Sequence, residues 1–154
     1  MRTFTLMLTL IIPFIFSKNT SAQTMPDPES PRLEHIAVYV TDLQESAAFY
    51  KNVLKFTEIE EPFKDGKHVW FTLGAAGNLH LIQGAQKKIE HDKNDHLCFS
   101  VLSVDNFIAR LNQQKIEYSN WPGTEKAPTI RVDGVKQIYF QDPDGHWIEI
   151  NDAK

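Results

Sequence analysis

One pattern appears twice in this sequence, about sixty residues apart, and it restricts the fold more than any other feature. The first copy reads His35-Ile36-Ala37-Val38-Tyr39-Val40 and the second His96-Leu97-Cys98-Phe99-Ser100-Val101. Each begins with His and places apolar residues at the next, third and fifth positions. That alternation is the period of a strand with one well-buried face. Internal repetition of this kind divides the chain into two related modules.

The segments after these strands match as well. Asp42 is a natural N-cap, and Glu45, three residues on, gives a capping-box-like start. Leu43, Ala47, Phe49, Tyr50, Val53 and Leu54 then form a helical apolar face. In the second copy Ser103 or Asp105 caps, and Val104, Phe107, Ile108 and Leu111 repeat at helical spacing. Short strands are predicted at 56–60, 68–73 and 79–83, then at 116–119, 135–141 and 147–150. Asp65-Gly66 and Asp142-Pro143-Asp144-Gly145 are turn signals between strands. The expected fold is therefore α+β, with a βαβββ module given twice, at 32–84 and 94–152, across a polar linker near 84–93.

The N-terminus has a different character. Arg2 is the only charge before Lys18, and between them lies a mostly apolar run from Leu6 to Phe16, too short to span a bilayer comfortably. Thr20-Ser21-Ala22 follows. Positive start, apolar run and small residues in this order predict a cleavable signal peptide over 1–22, and hence an exported, periplasmic or secreted protein with no stable membrane anchor once it is cut. No Cys follows the apolar run, which argues against a lipid-anchored cysteine. Residues 23–31 hold three Pro and read as a flexible leader. Cleavage leaves 14 basic residues against 20 acidic ones, a formal charge of -6 instead of -4. An acidic chain lacks the basic footprint that nucleic acid requires. The single cysteine, Cys98, cannot form an intramolecular disulfide, so the core of residues 32–152 must hold without one.

Four polar residues interrupt the apolar strands. His35 and His96 open the first strand of each module, while His80 and Glu149 sit at matching places in the last. Taken singly, each is an ordinary strand-end histidine or a solvent-facing glutamate. Together, at repeat-related positions, they are expected to converge around the pseudo-axis of the two modules. A buried carboxylate is costly unless it is paired or binds a metal. Three imidazoles and a carboxylate suit a divalent ion such as Zn, Fe, Mn, Co or Ni. His91 and His146 read as solvated or exposed residues, and His68 either supports a metal ligand from behind or lies at the surface. Alternation places Ala37 and Tyr39 on the His35 face, Cys98 and Ser100 on the His96 face, and Trp147 and Asn151 on the Glu149 face. Cys98 reads first as a small buried hydrophobe. Trp70, Phe71, Arg131, Tyr139 and Cys98 are the candidates for substrate contact. Arg131 is placed either as a clamp for a substrate carboxylate or as an ordinary surface residue.

The paired His openings, the Asp42-Leu-x-x-Ser46-x-x-Phe49-Tyr50 helix and the closing Asp142-Pro143-Asp144-Gly145-x-x-Ile148-Glu149 resemble the vicinal oxygen chelate superfamily. That group includes glyoxalase I, the bleomycin-resistance proteins and the extradiol dioxygenases, and the resemblance covers about residues 32–152. It implies two βαβββ modules forming a half-open, barrel-like cleft for metal and substrate. It also implies metal ligands on the first and last strands of each module, where His35, His80, His96 and Glu149 fall. Many glyoxalase I members carry a proton-transferring carboxylate where this chain has His80. A histidine ligates a metal or accepts a proton, so isomerase chemistry remains open without following from the pattern.

The expected activity is that of a metal-dependent glyoxalase-like enzyme, of lyase or isomerase type, acting on a small molecule that chelates the ion through two neighbouring oxygens. Glu149 or His80 is the expected proton shuttle. Export makes a glutathione-dependent reaction less attractive. The alternatives are a non-heme iron dioxygenase, which a two-His, one-Glu set also resembles, and a non-catalytic, resistance-type binding protein. Small two-module members of the superfamily often pair as homodimers, so a second copy of the chain is a further expected partner.

Overall fold

The computed structural model describes residues 29–154. The signal segment expected over 1–22, and most of the leader, lie outside the described residues. Among the described residues no helix is long and apolar enough to cross a membrane.

The first module runs β1 (His35–Val40), α1 (Leu43–Asn52), β2 (Thr57–Ile59), β3 (His68–Thr72) and β4 (Asn78–Gln83); the second runs β5 (His96–Ser100), α2 (Val104–Gln113), β6 (Thr129–Ile130), β7 (Lys136–Gln141) and β8 (Trp147–Asn151). Each forms its own four-stranded sheet, in the order β1-β4-β3-β2 and β5-β8-β7-β6. The first and last strands pair in parallel, β1 with β4 and β5 with β8, and the others pair antiparallel. A parallel neighbour needs a long crossover, and in both modules the helix lies within it. The sheets do not join into a closed barrel.

The helices begin where the capping logic places them. The Asp42 carboxylate accepts from the backbone N–H of Gln44 at 2.9 Å and of Glu45 at 3.0 Å, and Ser103 accepts from Asn106 at 3.2 Å. Both helices give way to a lysine in the left-handed region, Lys55 at φ 61° and Lys115 at φ 56°. The repeat thus extends to backbone conformation. Leu43, Ser46 and Tyr50 of α1 and Val104, Phe107 and Leu111 of α2 are buried. They share one core with Val38, Phe71, Leu79, Leu81, Ile138, Phe140, Ile148 and Ile150, so neither module has a separate interior.

One expectation is corrected. Residues 116–119 do not form a ladder strand. Ser119 makes an isolated bridge to Tyr139, and the edge of the second sheet is Thr129–Ile130. Period-two patterning could not separate the two segments, because an edge strand of two residues carries no period. A short 3₁₀ turn at Gly74–Ala76 was also unforeseen. It ends at Gly77 (φ +106°), where an added Cβ would lie 2.6 Å from the Glu34 carbonyl oxygen. Glycine there lets β4 start directly alongside β1.

Candidate metal and substrate site

The face of each sheet turned away from the helices carries the polar residues. On β1 the exposure alternates, with His35, Ala37 and Tyr39 open and Val38 and Val40 buried. On β5, His96, Cys98 and Ser100 share the open face. His80 and Glu149 occupy inner strands, β4 and β8, and are only 5% and 6% exposed.

The four candidate ligands form two pairs, one on each sheet. In the second module His96 Nε2 lies 3.2 Å from Glu149 Oε2. His96 Nδ1 is 2.7 Å from the Lys93 carbonyl oxygen, which can only accept, so Nδ1 carries a hydrogen. The Nε2 lone pair then faces a carboxylate oxygen, an arrangement that needs a proton or a cation between them. Metal–ligand bonds of about 2.0–2.2 Å put neighbouring ligand atoms roughly 3 to 3.5 Å apart. The observed separation fits a shared ion, as does the donor set.

Glu149 is the best-supported side chain of the cleft. Tyr139 donates its hydroxyl to Oε2 at 2.5 Å, while Asn151 Nδ2 at 2.8 Å and Cys98 Sγ at 3.4 Å donate to Oε1. Burial pushes the carboxyl pKa up. The donors Tyr139, Asn151 and Cys98, with His96 opposite, outweigh that and hold it below its ordinary value. The same contacts act in reverse on their partners. Burial and then Glu149 raise the Tyr139 phenol, and push the Cys98 thiol up to about 11.

In the first module, the His35 ring is centred 5.7 Å from that of His80 and 5.0 Å from Trp70. His35 Nδ1 pairs with the Glu34 carboxylate. Trp70, opposite His80 in the β3–β4 register, stacks on it at 4.1 Å. His80 Nε2 and Trp70 Nε1 are both buried with no hydrogen-bond partner. Buried polar atoms in native proteins are nearly always satisfied by protein or water, so these two neighbouring atoms are free to meet a water or a ligand. Burial lowers the His80 pKa, His68 and His35 lower it further, and Glu61 pulls it partly back.

No three of His35, His80, His96 and Glu149 bring their ligand atoms within 4.8 Å of one another; among the described residues the one such group is Glu61, Asp65 and His68. The two pairs thus sit as halves on separate sheets. The first strands still border a common cavity of about 350 Å³, whose walls include Ala37, Tyr39, His96 and Trp147.

The candidate substrate residues divide. Trp70 and Tyr139 face the cleft beside a candidate ligand. Phe71 does not; it is fully buried in the core. Arg131 is exposed and bound by Asp133, with guanidinium–carboxylate distances of 3.2 and 2.6 Å, although Glu149 still raises its pKa after Asp133 does. Cys98 corrects the expectation of a buried hydrophobe, because it is exposed on the open face and directed at Glu149. His146 is not the exposed turn residue expected, and His68 takes the first of its two expected places, beside a candidate ligand. His146 Nδ1 lies 2.9 Å from the buried Asp142 carboxylate, and the His68 ring is 5.0 Å from His80.

Lys93 was missed altogether. Its carbonyl fixes the His96 tautomer, and its ammonium lies 4.4 Å over the Trp147 ring. Nothing in a charged linker distinguishes this lysine from its neighbours.

Paired βαβββ modules with imidazoles and a carboxylate on their open faces define a class of metal-cleft protein. The chain matches the model of the Glyoxalase/Bleomycin resistance protein/Dioxygenase superfamily over residues 32–150, and it belongs to that family. A metallothiol transferase FosB of Shouchella clausii is 29% identical, covering 77% of this chain and 78% of that protein. The mitochondrial methylmalonyl-CoA epimerase of Bos taurus is 34% identical over a shorter stretch, 55% of each chain. Among solved structures, the fosfomycin resistance protein FosX of Listeria monocytogenes superposes with a TM-score of 0.65 at 26% identity, covering 81% of this chain and 95% of that one.

Proposed function

We propose that this protein is an exported, metal-dependent enzyme of lyase or isomerase type, acting on a small molecule with two neighbouring oxygens. The observation that carries the reading is the His96–Glu149 pair, an imidazole lone pair set 3.2 Å from an ionised carboxylate. In this reading His96 and Glu149 hold a divalent ion together with His35, and His80 lies beside them as fourth ligand or proton acceptor. The ion supplies a Lewis acid that stabilises negative charge developing on substrate oxygen.

The residues of the chain do the rest. Tyr139 and Asn151 keep Glu149 ionised and aimed. Lys93 holds His96 in the tautomer whose Nε2 is free. Trp70 offers an unused N–H to a substrate oxygen, and its ring with that of His80 forms an apolar wall. His80, with its pKa lowered by burial, is neutral near pH 7 and so able to take a proton.

The two half-sites need a second surface to complete them. We assign that role to a second copy of the chain, which would also cover Tyr39, Ile59 and Phe63, exposed on or beside the open face of the first sheet, and Leu102 and Val132, which are fully exposed. Sedimentation of the mature protein should then give a dimer.

Elemental analysis after folding with divalent metals, joined to a substrate panel of 2-oxoaldehydes, catechols, epoxides and fosfomycin, tests the reading. Stoichiometric metal with turnover of one panel member supports it. Less than a trace of metal at His96 and Glu149 removes it. The likeness to FosB and FosX favours a second reading, a fosfomycin-resistance activity, which turnover of fosfomycin alone would select.

A further inference from the structure

The linker between the modules is a fitted strap with a cavity under it. Gly84 and Ala85 donate their N–H groups to the Val40 carbonyl oxygen at 3.1 and 3.2 Å, and Trp147 Nε1 donates to the His91 carbonyl oxygen at 2.9 Å. Two glycines allow the close fit. At Gly84 (φ +145°) an added Cβ would lie 2.6 Å from the Tyr39 hydroxyl oxygen, and at Gly145 (φ +95°) one would lie 3.2 Å from the Ile89 carbonyl oxygen. The cavity measures about 290 Å³, and its wall includes Tyr39, Lys87, Lys88, His91, Asp144 and His146.

That wall has more unused donors than unused acceptors. Among the described residues, neither Lys87 nor Lys88 has an ion-pair or side-chain hydrogen-bond partner. His146 spends Nδ1 on the buried Asp142 carboxylate at 2.9 Å. Its Nε2 has no partner, and the enclosed unpartnered side-chain atoms are those of Trp70 and His80, so solvent reaches the His146 nitrogen. The acidic groups are already engaged. Asp144 accepts from Thr41 through Oδ1 and from Ser46 through Oδ2, and Asp142 accepts from Tyr50 as well as from His146.

The charges act in the same direction. Burial lowers the His146 pKa, but the Asp142 hydrogen bond and the charges of Asp142, Asp144 and Asp95 outweigh it and favour the protonated ring. Nε2 then carries a hydrogen and becomes a third cationic donor beside the two ammonium groups. His91 lies against that ring, with centres 4.2 Å apart, and fixes its plane. Three cationic donors around one cavity match the several acceptor oxygens of a doubly charged oxyanion. Ala85 and Ile89, also in the wall, add an apolar side.

We propose that this cavity binds a small doubly charged oxyanion, phosphate or a phosphate monoester, held by Lys87, Lys88 and the Nε2–H of His146. The site is distinct from the one built on His96 and Glu149 and does not depend on a metal there. The Tyr39 ring, Ala85 and Ile89 would receive the substituent of a monoester.

Inorganic phosphate, titrated into the full chain at pH 7 and followed by the ring-proton resonances of the histidines, tests this. The His146 and His91 signals should move and saturate. Lys87→Met/Lys88→Met should weaken binding by about tenfold or more, since charge-assisted contacts are lost. Both residues lie on the surface, so circular dichroism should report unchanged folding. His96→Ala/Glu149→Gln should bind as the wild type does. Phenyl phosphate separates the sources: tighter binding than inorganic phosphate assigns the site to a monoester, and equal binding assigns it to the free ion. The proposal is overturned if the His146 signals do not saturate, or if the lysine variant binds as well as the wild type. It is also overturned if His96→Ala/Glu149→Gln abolishes binding, which would place the anion at the His96–Glu149 site and leave that reading standing.

Discussion

Tyr50, in the helix of the first module, donates its hydroxyl at 2.9 Å to Asp142, in the closing turn of the second. Two residues further on, Asp144 accepts from the backbone N–H and hydroxyl of Thr41 at 2.8 and 2.7 Å and from the Ser46 hydroxyl at 2.9 Å. The turn that leads into β8, and so positions Glu149, is thus fixed onto the first module by buried charged hydrogen bonds. The helix pattern Asp42-Leu-x-x-Ser46-x-x-Phe49-Tyr50 and the closing Asp142-Pro143-Asp144-Gly145 are two halves of one clamp.

The clamp gives a graded stability prediction. Tyr50→Phe leaves Asp142 with its His146 contact and should cost about 1–2 kcal/mol. Asp144→Ala strands three donors in a buried place and should cost about 3 kcal/mol or more. Urea midpoints for the two variants and the wild type would measure this. Equal, small losses would mean that the turn holds by packing alone.

The same cluster sets a pH window. Burial raises the Asp144 pKa, but the Thr41 and Ser46 hydrogen bonds and His146 outweigh it and leave it below its ordinary value. Its stabilisation is therefore present above about pH 3.9, the ordinary Asp value, and is lost as pH falls through the lower, folded one. His146 goes the other way. Burial lowers it, but the Asp142 hydrogen bond and the charges of Asp142, Asp144 and Asp95 hold it above its ordinary value. Its contribution is complete below about pH 6.5 and disappears as pH rises through the raised, folded value. Stability should be greatest between these limits, and His146→Ala should flatten the alkaline side while leaving the part of the acid side that the Thr41 and Ser46 hydrogen bonds supply. Thermal melts from pH 3 to 9 would show it.

Cys98 is exposed, yet it should react slowly. Burial of its sulfur and the neighbouring Glu149 put its thiol at about 11, so at pH 8 little thiolate is present. Alkylation by iodoacetamide should be roughly 10²-fold slower than for a free cysteine of pKa about 8.5. Glu149→Gln removes the negative charge and should move the midpoint of the alkylation profile to lower pH. An unchanged midpoint would assign the shift to burial alone.

How far the fold could be read from the sequence follows from where the signals were local. The His-led strands, the Asp42 and Ser103 caps and the Asp142–Gly145 turn are each specified within a few residues, and each is found where expected. The edge strand at Thr129–Ile130 is made by pairing with β7, which no local pattern encodes. The candidate site was legible as four positions but not as a geometry. Repeat symmetry matches His35 with His96 and His80 with Glu149, whereas the structure joins His35 to His80 and His96 to Glu149, because β1 pairs with β4 and β5 with β8. Glu61, Asp65 and Lys93 carried no signal, since a loop carboxylate or linker lysine looks the same whether or not it meets a histidine.

Tyr139 offers the sharpest test of how Glu149 is tuned. Its hydroxyl approaches Oε2 to 2.5 Å, the same oxygen that faces His96, and Gln137 Nε2 donates to that hydroxyl at 2.8 Å. Tyr139→Phe deletes the first side-chain donor among those that lower the Glu149 pKa. With burial then less opposed, the carboxyl should titrate higher. A group that orients a metal ligand typically contributes 10–100-fold in affinity, so Zn²⁺ binding at His96 and Glu149 should weaken by about that factor. The loss should deepen as pH falls, because protons compete for Glu149 earlier than in the wild type. A chelator-competition titration at pH 5.5 and 7.5 would separate this from simple damage to the fold, which would weaken binding by the same factor at both.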